Sequence, residues 1–274
     1  MIALTVSIRF GIILCAVLAA SGMSHAAQRG WRRTPQLATS NDHDGAFHYC
    51  RVMYRSNRYG DGGSWTTDFP DADVNLSVRF SELTKARVSR DAAGEPRPLV
   101  VRLTDDTLFQ CPFIMMQEVG SIYLDEEEAR WLREYLVKGG FLWVDDFWGS
   151  YAWDVWASQI TKVLPPAQFK NIDLPTDHPI FRTLFDLKNG VLQVPSISFW
   201  RGSGGGTSER YADSAEVHAR GIVDATGRVL VLQTHNTDIS DSWEREGEDT
   251  RYFYAFSVDG YAVAMNVLLY SMSH

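Results

Sequence analysis

The stretch DEEEARWLREYLVKGGFLWVDD, residues 125–146, constrains the fold more than any other. Asp125 stands where a helix cap belongs, and Glu126, Glu127 and Glu128 put negative charge at the positive end of the helix dipole. Ala129, Leu132 and Leu136 share one face, and Lys138-Gly139-Gly140 ends the helix. The apolar run Phe141–Val144 follows at once and has no polar alternation, so it reads as a strand covered on both faces. With PFIMMQEVG (112–120) as the strand before the helix, this is a βαβ unit, whose strands are parallel.

The rest of the chain extends that pattern. FHYCRVMYR (47–55) and RPLVVRLTDD (97–106) read as strands. Between them, residues 71–87 alternate like a strand at Val74, Leu76, Val78 and Phe80 but also recur at helical spacing through Leu83. Pro70-Asp71 is a start signal, and the alternation fails at Ser81, which favours helix. A helix over 150–164 is closed by Pro165-Pro166, a short strand lies in QFKNIDL, and EVHARGIVD and RVLVLQT flank a turn at Ala225-Thr226-Gly227. RGSGGGTSER reads as a mobile flap, and an apolar helix from Asp259 to Met272 closes the chain. No internal repeat is visible.

Residues 1–26 stand apart. Arg9, the apolar run Phe10–Ala20 and Ser24-His25-Ala26 have the order of a secretory signal peptide cleaved after Ala26. The run is shorter than the roughly 20 apolar residues that span a bilayer, which disfavours an uncleaved anchor. No lipobox precedes Cys15. The expected organisation is a signal peptide (1–26), a flexible lead-in (27–45) and a single α/β domain (46–274), periplasmic or secreted, with no later membrane span. Removal of Arg9 would deepen a net charge of −8, so nucleic acid is not an expected partner. Cys50 and Cys111 remain after cleavage; their spacing cannot show that they meet, and two separate buried thiols is the preferred reading.

Candidate functional residues gather at predicted strand ends. In parallel α/β sheets ligands sit beyond the carboxyl ends of strands, where Asp145 and Asp146 fall. Neighbouring strand residues face opposite ways, so at most one of the two aims into a given crevice. The structural alternative is that one of them caps the following helix or pairs with an arginine. Asp105 and Asp106 end another strand, and two such pairs side by side would make an acidic rim able to hold a divalent cation or polyol hydroxyls. In the loop 54–76, Tyr59 and Trp65 offer stacking surfaces, Arg55 and Arg58 offer anion contacts, and Asp61 adds a carboxylate, against a plainer reading as a packed surface loop. His178 and His235 are candidate bases or ligands, although a lone histidine is more often structural.

No G-x-S-x-G elbow and no phosphate loop is present, so no cofactor is expected. The motifs FPDADVNLSVRFSELT, LREYLVKGGFLWVDDFWG, DHPIF and DGYAVAMNVLLY, in this order, resemble the bacterial family called domain of unknown function 4159. That resemblance implies a flavodoxin-like three-layer α/β/α sandwich with a mostly parallel sheet, as in the class I glutamine amidotransferase-like superfamily. Amidotransferases of that superfamily use a cysteine on a tight turn after a central strand. Here that strand ends in Asp145-Asp146, and neither Cys50 nor Cys111 stands at such a turn.

The expected function is therefore an exported, non-amidotransferase binding or accessory protein of the cell envelope. A small polar ligand or an envelope protein partner would be held by the 54–70 loop, Asp105, Asp106, Asp145, Asp146 and His178. The alternative is an extracytoplasmic hydrolase of carbohydrate or another small substrate, with Asp145 or Asp146 as base or metal ligand and His178 or His235 assisting. A third reading, an envelope scaffold, requires an exposed aromatic patch around Trp148, Tyr151 and Trp153.

Overall fold

Alternate residues of the central strands divide between two apolar cores. Phe113, Met115, Phe141 and Trp143 enter one, while Ile114, Met116, Leu142 and Val144 enter the other. This is the period-two consequence of a sheet buried on both faces. The computed structural model describes residues 35–273, so the expected signal peptide lies outside the described residues.

The elements run in the order β1 (Cys50–Met53), β2 (Arg55–Ser56), α1 (Asp71–Thr84), β3 (Leu99–Arg102), β4 (Phe113–Gln117), β5 (Ile122–Tyr123), α2 (Glu126–Val137), β6 (Phe141–Asp145) and α3 (Gly149–Val163). They continue with β7 (Lys170–Asp173), α4 (Ile197–Gly202), β8 (His218–Val223), β9 (Val229–His235), α5 (Asp241–Glu244), α6 (Thr250–Tyr252) and α7 (Val258–Ser273). The main sheet has seven strands in the order β3-β1-β4-β6-β9-β8-β7. The pairs from β3 through β9 are parallel, and β8 and β7 extend the sheet antiparallel. Ala72, Leu76 and Phe80 of α1 share the first core with Val263, Ala264 and Leu268 of α7. Leu132 and Leu136 of α2 share the second with Trp156 and Ile160 of α3. The chain is a mixed α/β protein with helices on both faces of a mostly parallel sheet.

The caps follow the sequence signals. Asp125 accepts from the Glu128 amide (2.9 Å) and Glu128 returns the bond to the Asp125 amide (3.0 Å), a reciprocal capping box. The segment 71–84 is helical, and left-handed Lys85 ends it. Two expectations change. Cys50 and Cys111 form a disulfide across a Cα separation of 6.2 Å. Residue spacing could not reveal this, because β1 and β4 become neighbours only through the crossover by way of β3. The lead-in is also joined to the sheet at one point: Leu37 bridges Val100, with the Ala38 amide 2.8 Å from the Val100 carbonyl.

Candidate metal centre

Four adjacent strands carry polar side chains on the α1 face. These are Arg51 on β1, Gln117 on β4, Asp145 on β6 and Thr234 on β9, all fully buried. Gln117 pairs in register with Asp145. Arg51 donates its Nε to Asp73 of α1 (3.0 Å) and its Nη1 to the Trp65 and Thr67 carbonyls (3.2 and 3.0 Å) and to Gln117 Oε1. With its oxygen so occupied, the Gln117 amide donates to Asp68 Oδ2 at 3.0 Å. The buried guanidinium therefore both anchors the loop before α1 and orients the group that holds Asp68. Burial pushes the Asp73 carboxyl up, against the pull of Arg51.

Asp68, Asp146 and Asp238 converge at the carboxyl end of the sheet, each offering an oxygen within 4.8 Å of the other two. Asp146 is 6 % exposed and Asp238 4 %. Each carboxylate spends one oxygen on the protein. Asp68 Oδ2 accepts from Gln117 and from the Ser240 hydroxyl (3.0 Å), Asp146 Oδ1 from Trp148 Nε1 (3.1 Å), and Asp238 Oδ1 from the Ser240 hydroxyl and the Asp241 amide (both 2.9 Å). Among the described residues, Asp68 Oδ1, Asp146 Oδ2 and Asp238 Oδ2 accept no hydrogen bond, and none of the three side chains is in an ion pair. Ser240 has one hydroxyl hydrogen for two carboxylates, so the pair it bridges needs a proton or a cation to be satisfied.

Asp145 stands behind the triad. Its Oδ1 lies 2.6 Å from Thr234 Oγ1 and its Oδ2 accepts from the Ser240 amide at 3.0 Å. Only Asp146 of the consecutive pair joins the triad directly, because the chain turns left-handed there (φ 56°). Asp68 (φ 60°) and Glu118 (φ 57°) share that backbone state, as does Asn236 (φ 63°) at the end of β9. Left-handed non-glycine residues are uncommon, and these four lie at the carboxyl end of the sheet.

Burial, and after it the crowding of like charges, shapes the titration of the group. Burial raises Asp145 to about 7. Burial and then Glu244 raise Asp68 to about 7, and burial and then Asp68 raise Asp241 to about 8. Asp146 and Asp238 are held well above the usual range by burial, followed by Glu118 for Asp146 and by Asp146 for Asp238. Glu118, packed under Gly62, reaches about 7, chiefly through burial.

Several sequence candidates lie elsewhere. Asp105 and Asp106 follow edge strand β3, from which β1 and β4 separate β6, so the expected acidic rim does not form. Asp105 instead accepts from the Arg102 amide at 3.3 Å, and Asp106 opens a 3-10 turn. His178 lies beside Tyr270 (ring centroids 5.8 Å apart), whose hydroxyl meets the Val229 amide at the start of β9, the opposite end of the sheet from Asp145. Arg55 pairs with Asp125 and Glu128 at the α2 cap (both 2.6 Å). Arg58 stacks on its neighbour Tyr59 (4.5 Å to the ring centre), and Asp61 pairs with Arg210 (3.1 Å). Trp65 packs on Phe69, 5.9 Å between ring centres.

His235 is engaged by the fold on the other side of β6 and β9. Its Nε2 lies 3.0 Å from the Gly149 carbonyl, its ring packs on Phe147 and Trp153, and burial lowers it to about 4. The expected aromatic patch is not continuous, since Trp148 is buried on Asp146 and Trp153 is held between Phe147 and Arg220. Neither Asp145 nor Asp146 caps α3. That role falls to Asn236, which accepts from the Gly149 amide (2.8 Å), and Asp213, which accepts from the Ser150 amide (2.9 Å).

Asp68, Glu118, Asp238, Ser240 and Asp241 complete the cluster and were not singled out in the sequence. A domain of unknown function, DUF4159, matches residues 50–272, which takes in the sheet and all of these carboxylates. The chain belongs to that family. No curated protein matches the DUF4159 chain.

Proposed function

We propose that this DUF4159 chain is an exported binding protein that holds a divalent cation between Asp68, Asp146 and Asp238. One observation carries the reading: three carboxylates, Asp146 and Asp238 buried and Asp68 half-buried, converge, each with an oxygen that accepts nothing from the described residues and none with a cationic side chain in ion-pair contact. Uncompensated charges at such burial are strongly unfavourable, and protons or a metal ion are what compensates them. An all-oxygen donor set suits Ca²⁺, Mg²⁺ or Mn²⁺ rather than softer metals. The Cys50–Cys111 disulfide supports export, because such bonds persist in oxidising compartments. It also supports a non-amidotransferase reading, since it leaves neither sulfur available as a nucleophile. Taken alone, the five parallel strands have the order 2-1-3-4-5 in chain sequence, which supports a flavodoxin-like, amidotransferase-like class for the fold.

A second reading, a metal-assisted hydrolase, is favoured by the position of Asp145. Its carboxyl, raised to about 7, adjoins a candidate ligand and suits general acid–base work near neutrality.

Thermal unfolding of the full chain at pH 8 with Ca²⁺ or Mn²⁺ tests the first reading. Cation at a hundred times its dissociation constant adds about 2.7 kcal/mol, a rise of roughly 5–11 °C for a domain of this size. Asp146→Asn is expected to fold and to lose that rise. An unshifted wild-type transition with every oxygen-preferring cation would sink the proposal. The hydrolase reading further requires that Asp145→Asn keep the shift while losing turnover of a substrate found by screening.

A further inference from the structure

We infer that the acidic cluster is laid out for two cations and that the guanidinium of Arg245 fills one of the two positions, so that the centre takes a single metal ion. The inference rests on the cation reading of the triad. Asp68 belongs to two groups of converging carboxylates, one with Asp146 and Asp238 and the other with Asp241 and Glu244. A carboxylate shared between neighbouring positions is what a two-metal centre requires.

The two positions differ in what the protein supplies. No side-chain cation pairs with Asp146 or Asp238 among the described residues. At the other position Arg245 Nε lies 2.8 Å from Glu244 Oε2 and 3.5 Å from Asp241 Oδ1, while Nη1 reaches Glu248 Oε1 at 2.9 Å. Asp241 and Glu244 are three residues apart on α5, so one helix face presents both carboxylates to the same guanidinium. Arginine cannot shed its charge in a protein. A metal ion entering here would meet a fixed positive charge already ion-paired with two of its three ligands. Asp241 is otherwise anchored, its Oδ2 accepting from the Ile197 amide (2.6 Å) and the Tyr252 hydroxyl (3.1 Å), so removing Arg245 should leave that carboxylate in place.

The test is stoichiometry, read with Mn²⁺ alone by equilibrium dialysis on full-length wild type, Arg245→Met and Arg245→Lys, with cooperative thermal unfolding confirming that each is folded. One ion is expected in wild type and in Arg245→Lys, and two in Arg245→Met. One ion in a folded Arg245→Met, or two in wild type, would overturn the inference while leaving the triad as a cation site. No bound ion in any of the three would overturn both together.

Discussion

Asp145 shows how far hydrogen counting reaches at a single residue. Thr234 Oγ1 receives the Trp143 indole N–H at 2.8 Å and has one hydrogen of its own for two neighbours, the Val144 carbonyl at 3.0 Å and Asp145 Oδ1 at 2.6 Å. Every bond is satisfied when Thr234 donates to Val144 and a protonated Asp145 donates to Thr234. That agrees with a carboxyl raised to about 7 by burial. Its folded pKa exceeds its unfolded value of about 3.9. The stability it contributes is therefore fully present below about pH 4 and is lost as pH rises through about 7. Asparagine reproduces the protonated form, with its amide donating to Thr234 and its oxygen accepting from Ser240. Metal-free Asp145→Asn is therefore expected to unfold at a temperature that falls less than wild type's between pH 5 and pH 8, measured by calorimetry. Equal slopes would mean that Asp145 is ionised throughout that window.

At the scale of elements, the loop before α1 is shaped by what lies beneath it. A Cβ on Gly62, where φ is +97°, would stand 1.9 Å from Glu118 Oε2, whereas one on Gly94, at a similar φ of +82°, would meet nothing within 4 Å. Gly94→Ala is expected to lose only the left-handed backbone preference, about 1–2 kcal/mol. Gly62→Ala should lose more and should also weaken the cation response by shifting the Glu118 side of the site. Denaturant titration of the two variants separates the terms, and equal losses would show that Glu118 moves aside freely. Much at this scale was legible in the sequence. The α2 cap, its glycine stop and the apolar β6 run follow from local chemistry, as do Asp145 and Asp146 at a strand end. The partners of those aspartates were not legible. THNTDISD, following the apolar RVLVLQ run, repeats the pattern of a buried strand ending in acids, but only the sheet order makes β6 and β9 adjacent. The same order removes Asp105 and Asp106, whose local pattern looked equally good. Arg51 gave no signal at all, because a lone arginine within a strand reads as a solvent-facing residue until Asp73 and Gln117 are seen around it.

Across the whole molecule, the disulfide connects the start of β1 to the turn before β4, a sequence separation of 61 residues that spans α1 and β3. Closing a loop of that length in the unfolded chain is worth about 4 kcal/mol by chain entropy, or roughly 8–16 °C of unfolding temperature for a domain of this size. Both cysteines are 1 % exposed, so a reductant reaches the bond only when the sheet edge opens. The folded, oxidised protein should therefore resist dithiothreitol at room temperature and lose the bond once unfolded. Cys50→Ala/Cys111→Ala should melt lower than wild type by that interval, with the triad's cation response unchanged, since the bond lies at the amino ends of the strands and the carboxylates at the carboxyl ends. The export proposal adds a further consequence. Chain made without residues 1–26 stays in a reducing cytoplasm and should carry two alkylatable thiols on denaturation and match the double variant in stability. Chain made with those residues and recovered after secretion should carry none. Free thiols in the secreted protein, or an unchanged melt in the double variant, would remove the disulfide from both the stability argument and the case for export.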